Sequence, residues 1–150
     1  VREYEFRGKR ISNGEWIYGL LIKSISRKYT IQREVTDHKF LITDLVDIET
    51  VGEYTGLKDK EGKKIFEGDI LKLNNNTEDL VEVKFGQFGV IDVETESVVD
   101  NALGWYSKVI PTDEISKLEP YCFDMPLTEW YISNCSCEII DNIYENKELM

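Results

Sequence analysis

The chain has 150 residues, of which 41% are hydrophobic and 31% charged, which suits a single domain with its own core and excludes an intrinsically disordered protein. Its longest apolar runs, such as residues 16–22, are far too short to span a bilayer, and no basic start followed by an apolar stretch marks a secretory signal. A formal net charge of −11 works against general affinity for nucleic acid, and three cysteines, an odd number, give no disulfide framework, so reduced thiols inside a cell are expected.

Charge is unevenly spread. Residues 1–40 hold nine Lys or Arg against five acids, a net of +4, which leaves −15 for the other 110 residues. The opening segment alternates large and polar side chains from Tyr4 to Ile11 and meets Ser12-Asn13-Gly14, a hairpin turn signal. Residues 15–22 form the expected returning strand, with Trp16, Tyr18 and Leu20 on one face and Ile17, Gly19 and Leu21 on the other, both of which are expected to be covered. A second strand pair is predicted over residues 29–32 and 40–42 across a polar turn, followed by a period-2 strand over 45–54.

Residues 55–71 read T-G-L-K-D-K-E-G-K-K-I-F-E-G-D-I-L. This pattern predicts a charged hairpin turn, a short strand through Ile65 and Phe66, a tight turn needing Gly68 in a conformation other residues resist, and a new strand through Leu73. Further strands are expected over 80–85 and 90–95, with turns at 74–79 and 86–89 and an acidic ladder of Asp92, Glu94 and Glu96 on the second. Strands this short and closely spaced over residues 50–95 predict an SH3-like barrel. One helical turn or two fits residues 98–103, and Thr112 or Asp113 is placed to cap a short helix through Leu118, stopped by Pro120.

The 55–71 segment resembles the hallmark stretch of the YopX family of phage and prophage proteins. The opening run R-G-K-R-I-S-N-G-E-W-I-Y-G and the ending from Glu138 to Met150 resemble the same family, with departures at Asp141, where a glycine is common, and Lys147, where a proline is common. No biochemical activity comes with the resemblance. It implies a phage or prophage accessory protein in the cytoplasm of a bacterial host. The expected architecture is mainly β: one YopX-like domain over residues 1–150, with an N-terminal β-hairpin lobe (about 1–50) packed on a small SH3-like barrel (about 51–150) and one or two short helices.

Groups able to run a reaction are scarce. The one histidine, His38, sits in a polar turn, and the chain has no nucleophile elbow, phosphate-binding glycine loop or paired-histidine zinc motif. No enzymatic activity, catalytic residue or cofactor is therefore expected. Cys135 and Cys137, placed on one face of a strand, would need Cys122 and His38 to complete a zinc site, and a single residue between the cysteines is not zinc-knuckle spacing. Inert thiols and no metal are expected.

The candidate interaction surface is the basic and aromatic set Arg7, Lys9, Arg10, Trp16, Tyr18, Lys23, Arg27, Lys28 and Tyr29. Cations interleaved with rings on a β surface fit a single-strand nucleic-acid binder. Tyr4, Phe6, Trp16 and Tyr18 at strand spacing fit an ordinary core hairpin with solvated cations. The charge asymmetry favours a third possibility, in which the hairpin docks on acids of a second copy, such as Asp92, Glu94 and Glu96 or the last 42 residues, giving a homo-oligomer that also binds a host or phage protein. An acidic protein imitating DNA is a further alternative permitted by the −15 segment.

Overall fold

The computed structural model describes residues 1–35, 40–113 and 123–149. The chain is mainly β: ten strands, one short α-helix and one 3-10 turn among the described residues, as the alternating sequence implied. It divides into two compact units, Val1–Gly56 and Leu57–Met150.

The first unit is built from β1 (Phe6–Arg10), β2 (Trp16–Lys23), β3 (Tyr29–Val35) and the first part of β4 (Phe40–Lys58). Each strand is antiparallel to the next, and β1 also pairs with β4, so the four strands close a circuit. Closure gives the unit an inside, filled by Ile17, Ile31 and Val46 with Phe6, Leu21, Tyr29 and Val51 against them. Two glycines permit that packing. A Cβ at Gly8 would lie 3.1 Å from Val51 and 3.3 Å from Ile31 and Val46, and one at Gly19 would run into the backbone carbonyl of Gln32. Only one face of β2 is covered, contrary to the expectation from its sequence: Ile17 is buried, whereas Tyr18, Leu20 and Ile22 are exposed. The strand expected over 45–54 and the one expected over 40–42 are a single strand, because no turn residue separates them.

In the second unit, β5 (Lys64–Phe66) follows the end of β4 across a turn, and an open sheet runs in the order β10-β6-β7-β8-β9. Its strands are β6 (Asp69–Leu73), β7 (Asn76–Asp92), β8 (Ser97–Ile110), β9 (Met125–Pro126) and β10 (Glu138–Asn142). Strand closure thus falls in the first unit, earlier in the chain than the barrel-like layout of residues 50–95 suggested. The helix α1 (Glu129–Asn134) is capped by Thr128, whose hydroxyl accepts the amide of Tyr131 at 3.0 Å. It lays Tyr131 and Ile132 on a core of Ile65, Leu71, Val81, Val83, Leu127 and Cys137.

Four expectations for this unit are corrected. The strand expected over 90–95 ends at Asp92, so Glu94 and Glu96 lie in the turn before β8 and not on a strand ladder. Residues 86–89 are not a turn but the middle of β7, which pairs residue by residue with β8 through Val90. Residues 98–103 belong to β8 rather than to a helix, since pairing with β7 outweighs weak helical spacing. Asn74 and Asn75, at φ 51° and 57°, make the turn between β6 and β7 in two residues, and 76–79 are already strand. The helix expected after Thr112 lies outside the described residues.

Candidate functional site

The hallmark segment proves to be structural. Asp59 is buried, and its carboxylate accepts the amides of Glu61 and Lys63 on one oxygen, each at 2.9 Å, and that of Ile139 on the other at 3.1 Å. One side chain therefore folds the 59–63 turn and ties it to β10. Asp69, also buried, accepts the amide of Phe66 at 2.8 Å. Gly68 between them has φ 84°, as its sequence context required, and its amide and carbonyl bond Val83 and Ile143. Both acids hold backbone.

Of the cysteines, Cys137 is buried and Cys135 half-buried. Cys135 ends α1 and Ser136 has φ 47°, so the Cys135-Ser136-Cys137 run is a helix stop rather than the expected strand. Burial, with a smaller effect of Cys135, pushes the Cys137 thiol up to about 12. Next to it, Lys60 and Lys72 both approach one oxygen of Glu138 at 3.1 Å and hold its carboxyl below the usual range. Cys122 and His38 lie outside the described residues. Among the described residues no three metal-ligating side chains converge.

Eight of the nine sequence-predicted interaction residues fall into two groups that share Lys9. Arg7 faces Tyr18 and Lys9 faces Trp16 in the β1–β2 ladder, so all four share one side of the sheet. There Trp16 is engaged by the protein's own cations: the Arg7 guanidinium lies 5.0 Å and the Lys9 ammonium 5.4 Å from its ring. Arg7 is buried, and Tyr18 is exposed.

The second group forms a pocket of about 710 Å³ within the first unit, lined by Lys9, Arg10, Arg27, Lys28 and Tyr29 with Ile11, Gly14, Leu45, Val46, Asp47 and Ile48. Its volume is within the ~300–1,000 Å³ usual for ligand sites. An irregularity in the β1–β4 ladder opens it. Arg7 pairs with Gly52 but Lys9 with Asp47, so the chain between bulges away opposite Gly8. The Thr50 hydroxyl bridges the gap, accepting the Lys9 amide at 2.8 Å and donating to the Asp47 carbonyl at 2.7 Å. The apolar side chains Ile11, Leu45 and Ile48 are left 42–64% exposed.

The pocket cations differ in what they offer. Arg10 is held between Glu15 at 3.4 Å and Asp44 at 3.2 Å. Arg27 and Lys28 stand on the β2–β3 turn, closed by the Ser24 amide on the Lys28 carbonyl and the Arg27 amide on the Ser24 carbonyl. Neither makes an ion pair among the described residues. Arg27 has φ 61°, a left-handed conformation unfavourable for a side chain of this kind. Lys23, 5.7 Å from the Tyr29 ring, is the ninth member. The bulge and the pocket's apolar floor go beyond what the sequence patterns predict. The only sequence signal for them is Ile48 and Leu45 on a strand whose polar neighbours Asp47 and Glu49 leave no continuous buried face.

Grouped by folded unit, the charge asymmetry changes form. Residues 1–56 hold nine cations and nine acids, because β4 adds Asp44, Asp47, Glu49 and Glu53, so the whole −11 belongs to residues 57–150. The first unit has a basic pocket on a neutral body. No described helix is long and apolar enough to cross a membrane.

Comparison with curated proteins found no match. Among solved structures the chain is similar to protein EF1440 from Enterococcus faecalis, at 19% identity and a TM-score of 0.45, with 99% of each chain covered. The family model described as "YopX protein" matches residues 5–150, and the chain therefore belongs to the YopX family.

Proposed function

We propose that this chain is a non-enzymatic phage or prophage accessory protein that works by binding, with the pocket of the first unit as its binding site and an acidic, partly apolar protein segment as the ligand. Self-association is part of that role. The observation that carries it is the composition of the pocket: Arg27 and Lys28 on the rim without ion pairs among the described residues, and an exposed apolar floor of Ile11, Leu45 and Ile48. Cations alone would suit any anion, whereas a floor of aliphatic side chains favours a ligand that also brings apolar groups.

Nucleic acid is the less favoured ligand. Trp16, the largest ring of the basic set, already has Arg7 and Lys9 5.0 and 5.4 Å from its ring, so a stacking base would compete with the protein's own cations. The neutral first unit and the −11 of the second give no long-range attraction for a phosphate chain.

Binding of a labelled Glu-Val alternating peptide and of a labelled thymidine 12-mer, each at low and high salt, tests the proposal. The peptide is expected to bind at low salt and to lose about tenfold in affinity in an Arg27→Glu, Lys28→Glu variant. No peptide binding at low salt, or tighter binding of the 12-mer lost in the same variant, would overturn it.

A further inference from the structure

We infer that the occupant of the pocket is the β7–β8 hairpin tip of a second copy of this chain. The inference rests on the reading of the pocket given above and names its partner. β7 and β8 pair through Asp92 and Ser97, so the hairpin ends in a four-residue turn, 93–96. At this end the side chains complement those of the pocket. Glu94 and Glu96 are exposed and make no ion pair among the described residues, and Val93, Val98 and Val99 are 88%, 61% and 62% exposed. An aliphatic tip flanked by carboxylates matches an aliphatic floor flanked by Arg27 and Lys28.

The tip is also preorganised. One Asp92 carboxylate oxygen accepts the amides of Glu94 at 2.8 Å and Thr95 at 3.0 Å, and the Thr95 and Ser97 hydroxyls lie 2.6 Å apart. A turn fixed before docking loses little conformational freedom on docking. The tip is the narrow end of a hairpin, with its two chains about 5 Å apart, and the pocket has a volume of about 710 Å³. Because pocket and tip are different patches of the chain, the contact is head-to-tail and repeats from copy to copy, closing a ring or extending a filament.

Two full-length variants test this by light scattering at low salt. The pocket variant is Arg27→Glu with Lys28→Glu; the tip variant is Glu94→Lys with Glu96→Lys, which spares Asp92 and its turn. The wild type is expected above monomer mass and to fall towards monomer as salt is raised. Each variant alone is expected to be monomeric, since like charges then face each other, and an equimolar mixture to regain the assembly, since each variant's pocket is complementary to the other's tip. Circular dichroism spectra matching wild type establish that both variants are folded, and the milder Glu94→Gln, Glu96→Gln variant is expected to show a partial loss.

A monomeric wild type, or an assembly unaffected by either variant, overturns the inference. So does a mixture of folded variants that stays monomeric. In that last case a wild type that still binds the Glu-Val peptide keeps the pocket reading and rejects only the hairpin as occupant, whereas loss of both rejects the two together.

Discussion

Replacing Asp59 by alanine tests the physical role assigned to the hallmark segment. The carboxylate accepts three backbone amides, those of Glu61, Lys63 and Ile139, from a position 6% exposed. Alanine leaves all three donors without that partner. A buried donor left unsatisfied costs about 1–3 kcal/mol, and the two turn amides gain some water once the side chain is gone, so the sum is about 4 kcal/mol. With a urea slope of about 2 kcal/mol per molar, the midpoint falls by about 2 M. The Asp59→Asn variant retains one oxygen for Glu61 and Lys63 but turns its amide towards Ile139, and about half the loss is expected. Urea unfolding followed by tryptophan fluorescence reads both. A shift below about 0.5 M for Asp59→Ala, or an asparagine variant indistinguishable from wild type, would refute the view that this aspartate staples the turn to β10.

Three further outcomes follow from the geometry. Gly19→Ala drives a Cβ into the Gln32 carbonyl, so the β2–β3 ladder must shift and the first unit should lose at least about 2 kcal/mol in thermal or urea unfolding; a neutral result would contradict the packing. Cys137, with its thiol raised from 9.0 to about 12, stays neutral in the folded chain where the unfolded chain ionises. Its contribution is complete below pH 9 and is lost as pH rises from 9 towards 12, so stability should fall over that window, less steeply in Cys137→Ala, and a thiol reagent at pH 8 should label folded protein at Cys137 only after unfolding. Arg27→Gly removes a left-handed side-chain conformation and should stabilise the chain by about 0.5–1 kcal/mol while weakening peptide binding; a destabilised variant would show that φ 61° costs nothing there.

Most of the local structure is legible in the sequence because its turns are chemically explicit. Asn13-Gly14, Gly62 and Gly68 all mark bends, and the three glycines have φ of 71°, 81° and 84°. The same local logic fails where pairing dominates. Gly86 and Gly89 look like a turn, yet β8 supplies a partner at every step and the strand runs on to Asp92. Val98 and Val99 have no periodicity to declare a strand because both faces of that part of the hairpin are exposed.

The pocket is partly legible. Lys9, Arg10, Arg27, Lys28 and Tyr29 stand out by charge and ring content, and the fold brings them together. That Arg7 is buried beside Gly52, that Arg10 is held by Asp44, and that Leu45 and Ile48 floor the site all depend on β4 folding back beside β1. Such a contact spans some forty residues of chain and leaves no periodic trace. The cut at residue 40 that gives a +4 segment separates these cations from the acids of the very strand that neutralises them.

The most direct test of the binding account is the affinity of the Glu-Val peptide for wild type and for the Arg27→Glu, Lys28→Glu variant at low salt. The account predicts binding by the wild type and about a tenfold loss in the variant, with the thymidine 12-mer unbound by either. Equal peptide affinity in the two proteins would contradict it.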